Sequence, residues 1–310
     1  MALGSNHVTN TTAATFIPEL WSDEIIAAYK QNLVMANLVS KMSFKGKKGD
    51  TLHIPKPTRG TAAAKAASTQ VTLQAATETE IQVLVNKHYE YSRLIEDITE
   101  AQALASLRQF YTSDAGYALA KQVDTDLIQL GRGVGGGSGT AAYNKAVLGG
   151  NGSTLYVDGT NVGTALTDVG IRRVIQTLDD ADVPMDGRVM VIPPSARNTL
   201  MGLDRFTEQA FTGEAGSNNT IRNGQIGDIY GVKVYVSTNA DTATTSSSGD
   251  TDPRVCLMAH PEFGVLVEQL GIRVQTQYKQ EYLGTLLTAD TLYGVGELRD
   301  TSAVALVIPG

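Results

Sequence analysis

Residues 57–80 read PTRGTAAAKAASTQVTLQAATETE. Alanine, threonine and glutamine dominate this stretch, and its large apolar side chains are too few to build a core of their own. Such a segment either stays solvated or lies on a neighbour, because it buries too little to offset the entropy lost on ordering. Strand-like text flanks it, TLHIP before and EIQVLVNKHYEYSRLI after, so the simplest geometry is a long two-stranded finger. An isolated hairpin is marginal in water, and the finger therefore calls for a partner surface.

The rest of the chain supplies a body for that finger. With 310 residues, 42% of them hydrophobic, it can bury a sizeable core as two domains or one elaborated domain. The single cysteine, Cys256, excludes a disulfide framework within one chain and any multi-cysteine metal site, and points to a reducing compartment. No apolar run approaches the ~20 residues needed to cross a bilayer. The start, MALGSNHVTNTTAATF, lacks the order of a secretory signal, so synthesis in the cytosol with no membrane partner is expected. A formal charge of −7 disfavours nucleic-acid binding over the whole surface. Lys41, Lys45, Lys47 and Lys48 crowd one turn, but no aromatic or arginine is interleaved to stack on bases, and a solvated turn is the simpler reading.

Periodicity gives the elements. The first 16 residues form a polar, threonine-rich arm, and Pro18 to Met42 is expected to be a helix with Trp21, Ile25, Ala28, Met35, Val39 and Met42 on one side. Asp97 to Leu130 carries the clearest helical pattern. Asp97 and Glu100 resemble a capping box, and Leu104, Leu107, Tyr111, Ala115, Leu119, Val123, Leu127 and Leu130 run down one face. GRGVGGGSG at 131–139 follows a helix rather than a strand and lacks a Gly-Lys-Ser or Gly-Lys-Thr ending, so it reads as a flexible connector, not a phosphate loop. A domain boundary is placed near 140–163. Beyond it, helix and strand alternate. TALTDVGIRRVIQTLDDADVP predicts a helix with Leu166, Val169, Val174 and Leu178 inward, and PSARNTLMGL a second, short helix. RVMVI, VKVYVS, RVCLMA, FGVLVEQ, IRVQTQYKQ and the terminal SAVALVI predict strands, with LYGVGELRD as a turn before the last.

Catalytic chemistry is not written in the chain. His7, His53, His88 and His260 lie on separate segments, none at helical spacing from another or from Cys256. Ser195 lacks the glycines of a nucleophile elbow. Asp179, Asp180 and Asp182 are explained by a solvated helix end as well as by a divalent ion. No catalytic residue, cofactor or metal site is expected.

Three stretches carry a family resemblance: 95–130, opening IEDITEAQA; 224–236, GQIGDIYGVKVYV; and 292–308, LYGVGELRDTSAVALVI. Taken with the order of elements, they make the chain resemble the major capsid protein of tailed bacteriophages, an α+β fold of the Hong Kong 97 type (HK97-like). Short-tailed phage shell proteins are similar at all three places.

The resemblance implies an N-terminal arm and helix (1–49), an extended loop (50–93), and a peripheral domain with spine helix and connector (94–159). An axial domain (160–260) and the return strands of the peripheral domain (261–310) complete it. It implies a structural protein, not an enzyme, that assembles as hexamers and pentamers into an icosahedral shell around double-stranded DNA. Further implied partners are a separate scaffolding protein, since the N-terminal arm is too short to include one, and a portal protein at one vertex. DNA contact would be weak and non-specific, with assembly in the host cytoplasm and a final place in the virion. In this family the glycine-bounded turn belongs to the axial domain, so Gly224, Gly227 and Gly231 are corners rather than a phosphate cradle.

Some members join a loop lysine to a peripheral-domain asparagine; Lys65 is placed for the lysine, but residues 264–310 contain no asparagine, so a shell without that bond is expected. The rival readings are an encapsulin-type compartment, marked by a co-purifying cargo enzyme, and an α/β enzyme binding a ligand through 160–260, marked by a small soluble particle with a ligand-dependent melting shift.

Overall fold

A computed structural model describes residues 34–46, 48–57, 60–71, 73, 78–98, 106–134, 143, 145–157, 160–203, 228–243 and 253–310. Twelve strands are present among them: β1 (Ser40–Ser43), β2 (Thr51–Lys56), β3 (Thr79–Leu84), β4 (Lys87–Glu96), β5 (Val147–Leu148), β6 (Val189–Ile192), β7 (Asp228–Ile229), β8 (Val232–Val236), β9 (Arg254–Ala259), β10 (Gly264–Lys279), β11 (Gly284–Glu297) and β12 (Ala303–Ile308). They form a four-stranded sheet in the order β1-β10-β11-β4, a six-stranded sheet in the order β5-β12-β9-β6-β8-β7, and the two-stranded finger β2-β3.

The six-stranded sheet is buried on both faces, which is why its strands read as near-continuous apolar runs. Alternation divides their side chains between two cores. Val255, Leu257, Ala303, Ala305 and Val307 enter the core shared with the four-stranded sheet. Cys256, Met258, Met190, Ile192, Leu306 and Ile308 enter a second core beneath the helices Asp168–Asp180 and Pro194–Met201. The first of these helices starts where Thr167 accepts a hydrogen bond from the Gly170 amide at 3.1 Å. Its buried residues are Gly170, Ile171, Val174 and Leu178. Val169, expected inward, is 55% exposed, because the inward stripe passes through Ile171 instead.

The helix Ser106–Gln129 lies across the four-stranded sheet, with Ala115 and Leu119 on Ala289 of β11 beside Tyr89 and Tyr91 of β4. Leu127 and Ile128 at its C-terminal end join the core between the two sheets, so this helix ties the layers together. Glu100 and Leu104 of the expected pattern lie outside the described residues, as does the side chain of Leu107.

Several expectations are corrected. Val34 to Ser43 is not the end of a helix: Met35–Asn37 form one 3-10 turn, and Ser40–Ser43 pair in parallel with Val265–Glu268. Tertiary partners override the helical spacing there, since β10 supplies backbone hydrogen bonds and Asp124 captures the Val34 and Met35 amides. The remainder of that expected helix and the arm before it lie outside the described residues.

Two further corrections concern the second half. FGVLVEQ and IRVQTQYKQ are one strand with register shifts between Glu268 and Arg273, and LYGVGE is strand rather than turn. The terminal β12 does not return to the four-stranded sheet with the rest of 261–310 but pairs with β9 in the six-stranded one.

The start of the glycine run is packed as well: Gly131 and Val134 are buried, and a Cβ on Gly131 would stand 3.1 Å from Leu257 Cδ1. Residues 135–140 lie outside the described residues.

Candidate assembly interface

The finger is anchored at one end only. At its base, Val83 and Val85 pack with Phe44, Val265 and Val267, and with half-buried Leu52, Ile54 and Ile81. The β3 strand crosses directly over β11, and the Gly294-Val295-Gly296 step makes the crossing possible. A Cβ at Gly294 would stand 2.4 Å from the Leu84 carbonyl oxygen, and one at Gly296 would stand 2.7 Å from Val83 Cγ2. The glycines of the third resemblance stretch are therefore backbone-approach positions.

Beyond the base, every described residue from Pro55 to Glu80 is exposed, Lys65 included. The strands stay paired by their ladder from Thr51↔Leu84 to Lys56↔Thr79 and by short polar contacts. His53 Nδ1 meets Glu80 Oε2 at 2.9 Å and Gln82 donates to Glu80 Oε1 at 2.6 Å. The hydrogen bond from Gln82, then that from His53, holds the Glu80 carboxyl below its ordinary range. Val71 and Leu73 are 66% and 92% exposed, with no core of their own to enter.

The β10–β11 hairpin is the second projecting feature. β1 covers the outer edge of β10 only along Val265–Glu268, leaving Leu270 to Lys279 with no strand beside it among the described residues. Arg273 forks onto Asp290 with contacts of 2.6 and 2.8 Å, and His88 adds a third at 3.2 Å. Arg273 first, then His88, lowers the Asp290 carboxyl's pKa. The tip, Gln280–Leu283, is exposed, and Tyr278 donates from its hydroxyl to Asp97 at 2.7 Å.

Between these projections and the six-stranded sheet sit buried polar clasps that sequence spacing did not reveal. Asp124 Oδ1 accepts from the Val34 and Met35 amides at 3.1 and 2.8 Å, while its Oδ2 accepts from Asn239 Nδ2 at 3.0 Å. Arg132 forks onto Asp241 at 2.6 and 2.8 Å, and the Tyr143 hydroxyl donates to Asp241 at 2.9 Å. Asp126 takes Lys87 at 3.0 Å and the Tyr293 hydroxyl at 2.7 Å. Burial, then the bond to Asp126, raises the Tyr293 phenol well above its ordinary range. Each clasp joins segments far apart in the chain.

The residues weighed for chemistry stay apart. His260 Nδ1 accepts from the Glu262 amide at 3.3 Å and caps the 3-10 turn Pro261–Phe263. His53 and His88 serve the finger and the hairpin, and His7 lies outside the described residues. Cys256 is fully buried, which pushes its thiol pKa up and keeps it inert. Asp179 is bridged to Arg188 at 2.7 Å. Among the described residues, no three acidic, histidine or cysteine side chains converge as a metal site, and no helix is long and apolar enough to cross a membrane. Tyr230 and Gly231, with φ of 51° and 80°, form the two-residue turn between β7 and β8, so Gly231 is a corner. Gly224 and Gly227 lie outside the described residues.

A family model described as phage capsid protein matches residues 91–307. No curated protein sequence matches the chain. A solved structure from Mycobacterium phage Che8 is 25% identical, covering 94% of this chain and 97% of that one, with a TM-score of 0.74. The capsid structure of cyanophage P-SCSP1u, 17% identical, covers 99% of this chain and 97% of that one at 0.74. The capsid of cyanophage Pam1, 13% identical, covers 99% of both at 0.73. The match spans the long helix, both sheets and the hairpin: the chain belongs to the phage capsid protein family, with the Hong Kong 97-type fold, and is a structural shell subunit rather than an enzyme.

Proposed function

We propose that this subunit assembles as hexamers and pentamers into a closed icosahedral shell around double-stranded DNA, with each finger lying over the adjacent subunit. The observation that carries this reading is the exposure of every described residue from Pro55 to Glu80 on a finger whose base is firmly packed. The strand pairing ends at Lys56↔Thr79, and a segment beyond it that buries so little has no reason to persist alone; a sister surface supplies what it lacks. Each contact is modest, because association entropy opposes it, and closure makes the set collectively stable.

In this reading 50–93 is the extended loop, the long helix with the four-stranded sheet is the peripheral domain, and 160–260 joined by β12 is the axial domain near the symmetry axes. A net charge of −7 suits a container that holds DNA without gripping it. Family resemblance is the support for a separate scaffolding protein, a portal at one vertex, and assembly in the host cytoplasm.

Negative-stain microscopy of the protein co-expressed with its scaffold tests the reading. Closed particles with five- and six-fold capsomers and nuclease-protected DNA after packaging are expected. A protein that stays monomeric or dimeric on gel filtration, with protease-resistant fingers, overturns it; particles filled with a protein cargo would make it a compartment shell instead.

A further inference from the structure

In the sheet order β1-β10-β11-β4, the strand β4 has no strand beside its outer edge among the described residues. Its ten residues pair with β11 in one unbroken register from Lys87↔Tyr293 to Glu96↔Gly284, with no bulge and no proline. A covering strand and a bulge are common ways of blunting an edge, and β10 has both, in β1 along Val265–Glu268 and in the register shifts up to Arg273. Neither protects β4. The Asp97 amide donates to the Leu283 carbonyl at 2.9 Å, so the odd-numbered residues of β4 turn their backbone groups toward β11. The even-numbered ones, His88, Glu90, Ser92, Leu94 and Glu96, turn theirs outward, and their side chains are exposed. Charge, the remaining way of blunting an edge, instead selects a partner.

We propose that β4 pairs antiparallel with β4 of a second copy across a two-fold axis at Ser92, which joins their four-stranded sheets into one continuous sheet. The contact presupposes the shell reading and adds to it a link between copies in different rings of five or six, because an isologous contact does not build a ring. A two-fold perpendicular to the sheet keeps each face in common, so only residues of equal parity stand opposite one another. Charge then sets the register. With the axis at Ser92, His88 stands opposite Glu96 and Glu90 opposite Leu94, and symmetry makes each pair twice. On the face that carries the long helix, Arg93 stands opposite Tyr91 of the second copy. Its guanidinium already lies 5.6 Å from its own Tyr91 ring and 5.0 Å from Tyr111, so the seam extends an existing cation–aromatic stack. The neighbouring registers are worse. An axis at Arg93 sets Glu90 against Glu96, an axis at Glu90 sets that carboxylate against itself, and an axis at Tyr91 matches no opposite charges.

The experiment uses the full chain, as particles and as free subunits. Hydrogen exchange at the outward amides of His88, Glu90, Ser92, Leu94 and Glu96 should be at least about ten-fold slower in particles; equal rates overturn the proposal. Particles of Ser92→Cys, mildly oxidised and run without reductant, should give a dimer band, since a Cα separation of about 5.5 Å across the axis suits a disulfide. Glu90→Cys is the control on the same exposed face. Its two copies would stand about 13 Å apart along the strands, so it should stay monomeric. Cys256 is buried and silent. If Ser92→Cys fails to assemble, particles mixed from Glu90→Cys and Leu94→Cys subunits carry the same test, because those positions face each other. Slow exchange without the expected dimer means that another strand covers the edge; it overturns the self-pairing and leaves the shell reading standing, as does equal crosslinking of the Glu90→Cys control. An unaltered protein that forms no particles overturns both.

Discussion

Gly294 and Gly116 show how differently one residue type acts at two places in this fold. A Cβ at Gly294 would press within 2.4 Å of the Leu84 carbonyl, where the finger crosses β11, whereas a Cβ at Gly116 meets nothing within 4 Å. Gly294→Ala therefore forces a backbone apart and should cost about 1–3 kcal/mol. Gly116→Ala removes a flexible residue from a helix interior and should add up to about 1 kcal/mol. Thermal melts of the free subunit check both, and a Gly294→Ala variant as stable as the parent would refute the close crossing.

Glu297 makes a pH prediction at the same scale. Burial first, then a hydrogen bond with Asp300, pushes its carboxyl up to about 7, and its Oε1 has no hydrogen-bond partner among the described residues. Since the folded form holds the proton more tightly than the unfolded chain, whose value is about 4.3, the favourable contribution is complete at low pH. It declines as pH rises through that interval and is gone above the folded value. Glu297→Gln should thus flatten the fall in melting temperature between pH 5 and 8; an unchanged slope would show that the group does not control it.

Among the elements, the reach of sequence reading followed the range of the forces involved. The long helix and the Asp168 helix were legible because burial repeats with a local period of 3.6, and β6, β8, β9 and β12 because they are short apolar or alternating runs, whereas the two-residue strands β5 and β7 are too short to leave a pattern. The exposure of the finger was legible through composition, but its expected length as a two-stranded ribbon was not met: only Thr51–Lys56 and Thr79–Leu84 pair, and the described residues between them are not strand. Residues 34–42 were misread because their conformation is imposed from outside: Asp124, some ninety residues away, takes two of their amides at 2.8 and 3.1 Å. No spacing rule records such a bond, and the same holds for Arg132 with Asp241. The clasp leads to its own prediction. Asp124→Ala leaves the Val34 and Met35 amides and the Asn239 side chain without this acceptor in a buried place, at on the order of 1–3 kcal/mol for each group left unpaired. Denaturant unfolding of the subunit should show the loss, with Asp124→Asn, which keeps one acceptor oxygen, falling between the two. A variant that unfolds at the parent's midpoint would mean water replaces the carboxylate freely.

For the whole molecule, the two sheets share one core through Leu127, Phe263, Tyr293 and Val307, so the body behaves as a rigid block from which the finger and the hairpin project. Rigidity in the body and exposure in the projections suit a subunit that is ordered before assembly and makes its contacts through its extremities. Whether those contacts become covalent is decided by chemistry that the chain either has or lacks. An isopeptide bond needs an amide carbon for the Lys65 amine to attack, and residues 264–310 hold no asparagine to provide it in the family's manner. The shell must then rely on burial and hydrogen bonding at every interface, which denaturant weakens together. Mature particles boiled in detergent should run as a single monomer band, and Lys65→Arg, which keeps the charge but not the nucleophile, should leave that pattern and the particle yield unchanged. A ladder of linked multimers that disappears in the arginine variant would show that the amine finds an acyl partner elsewhere.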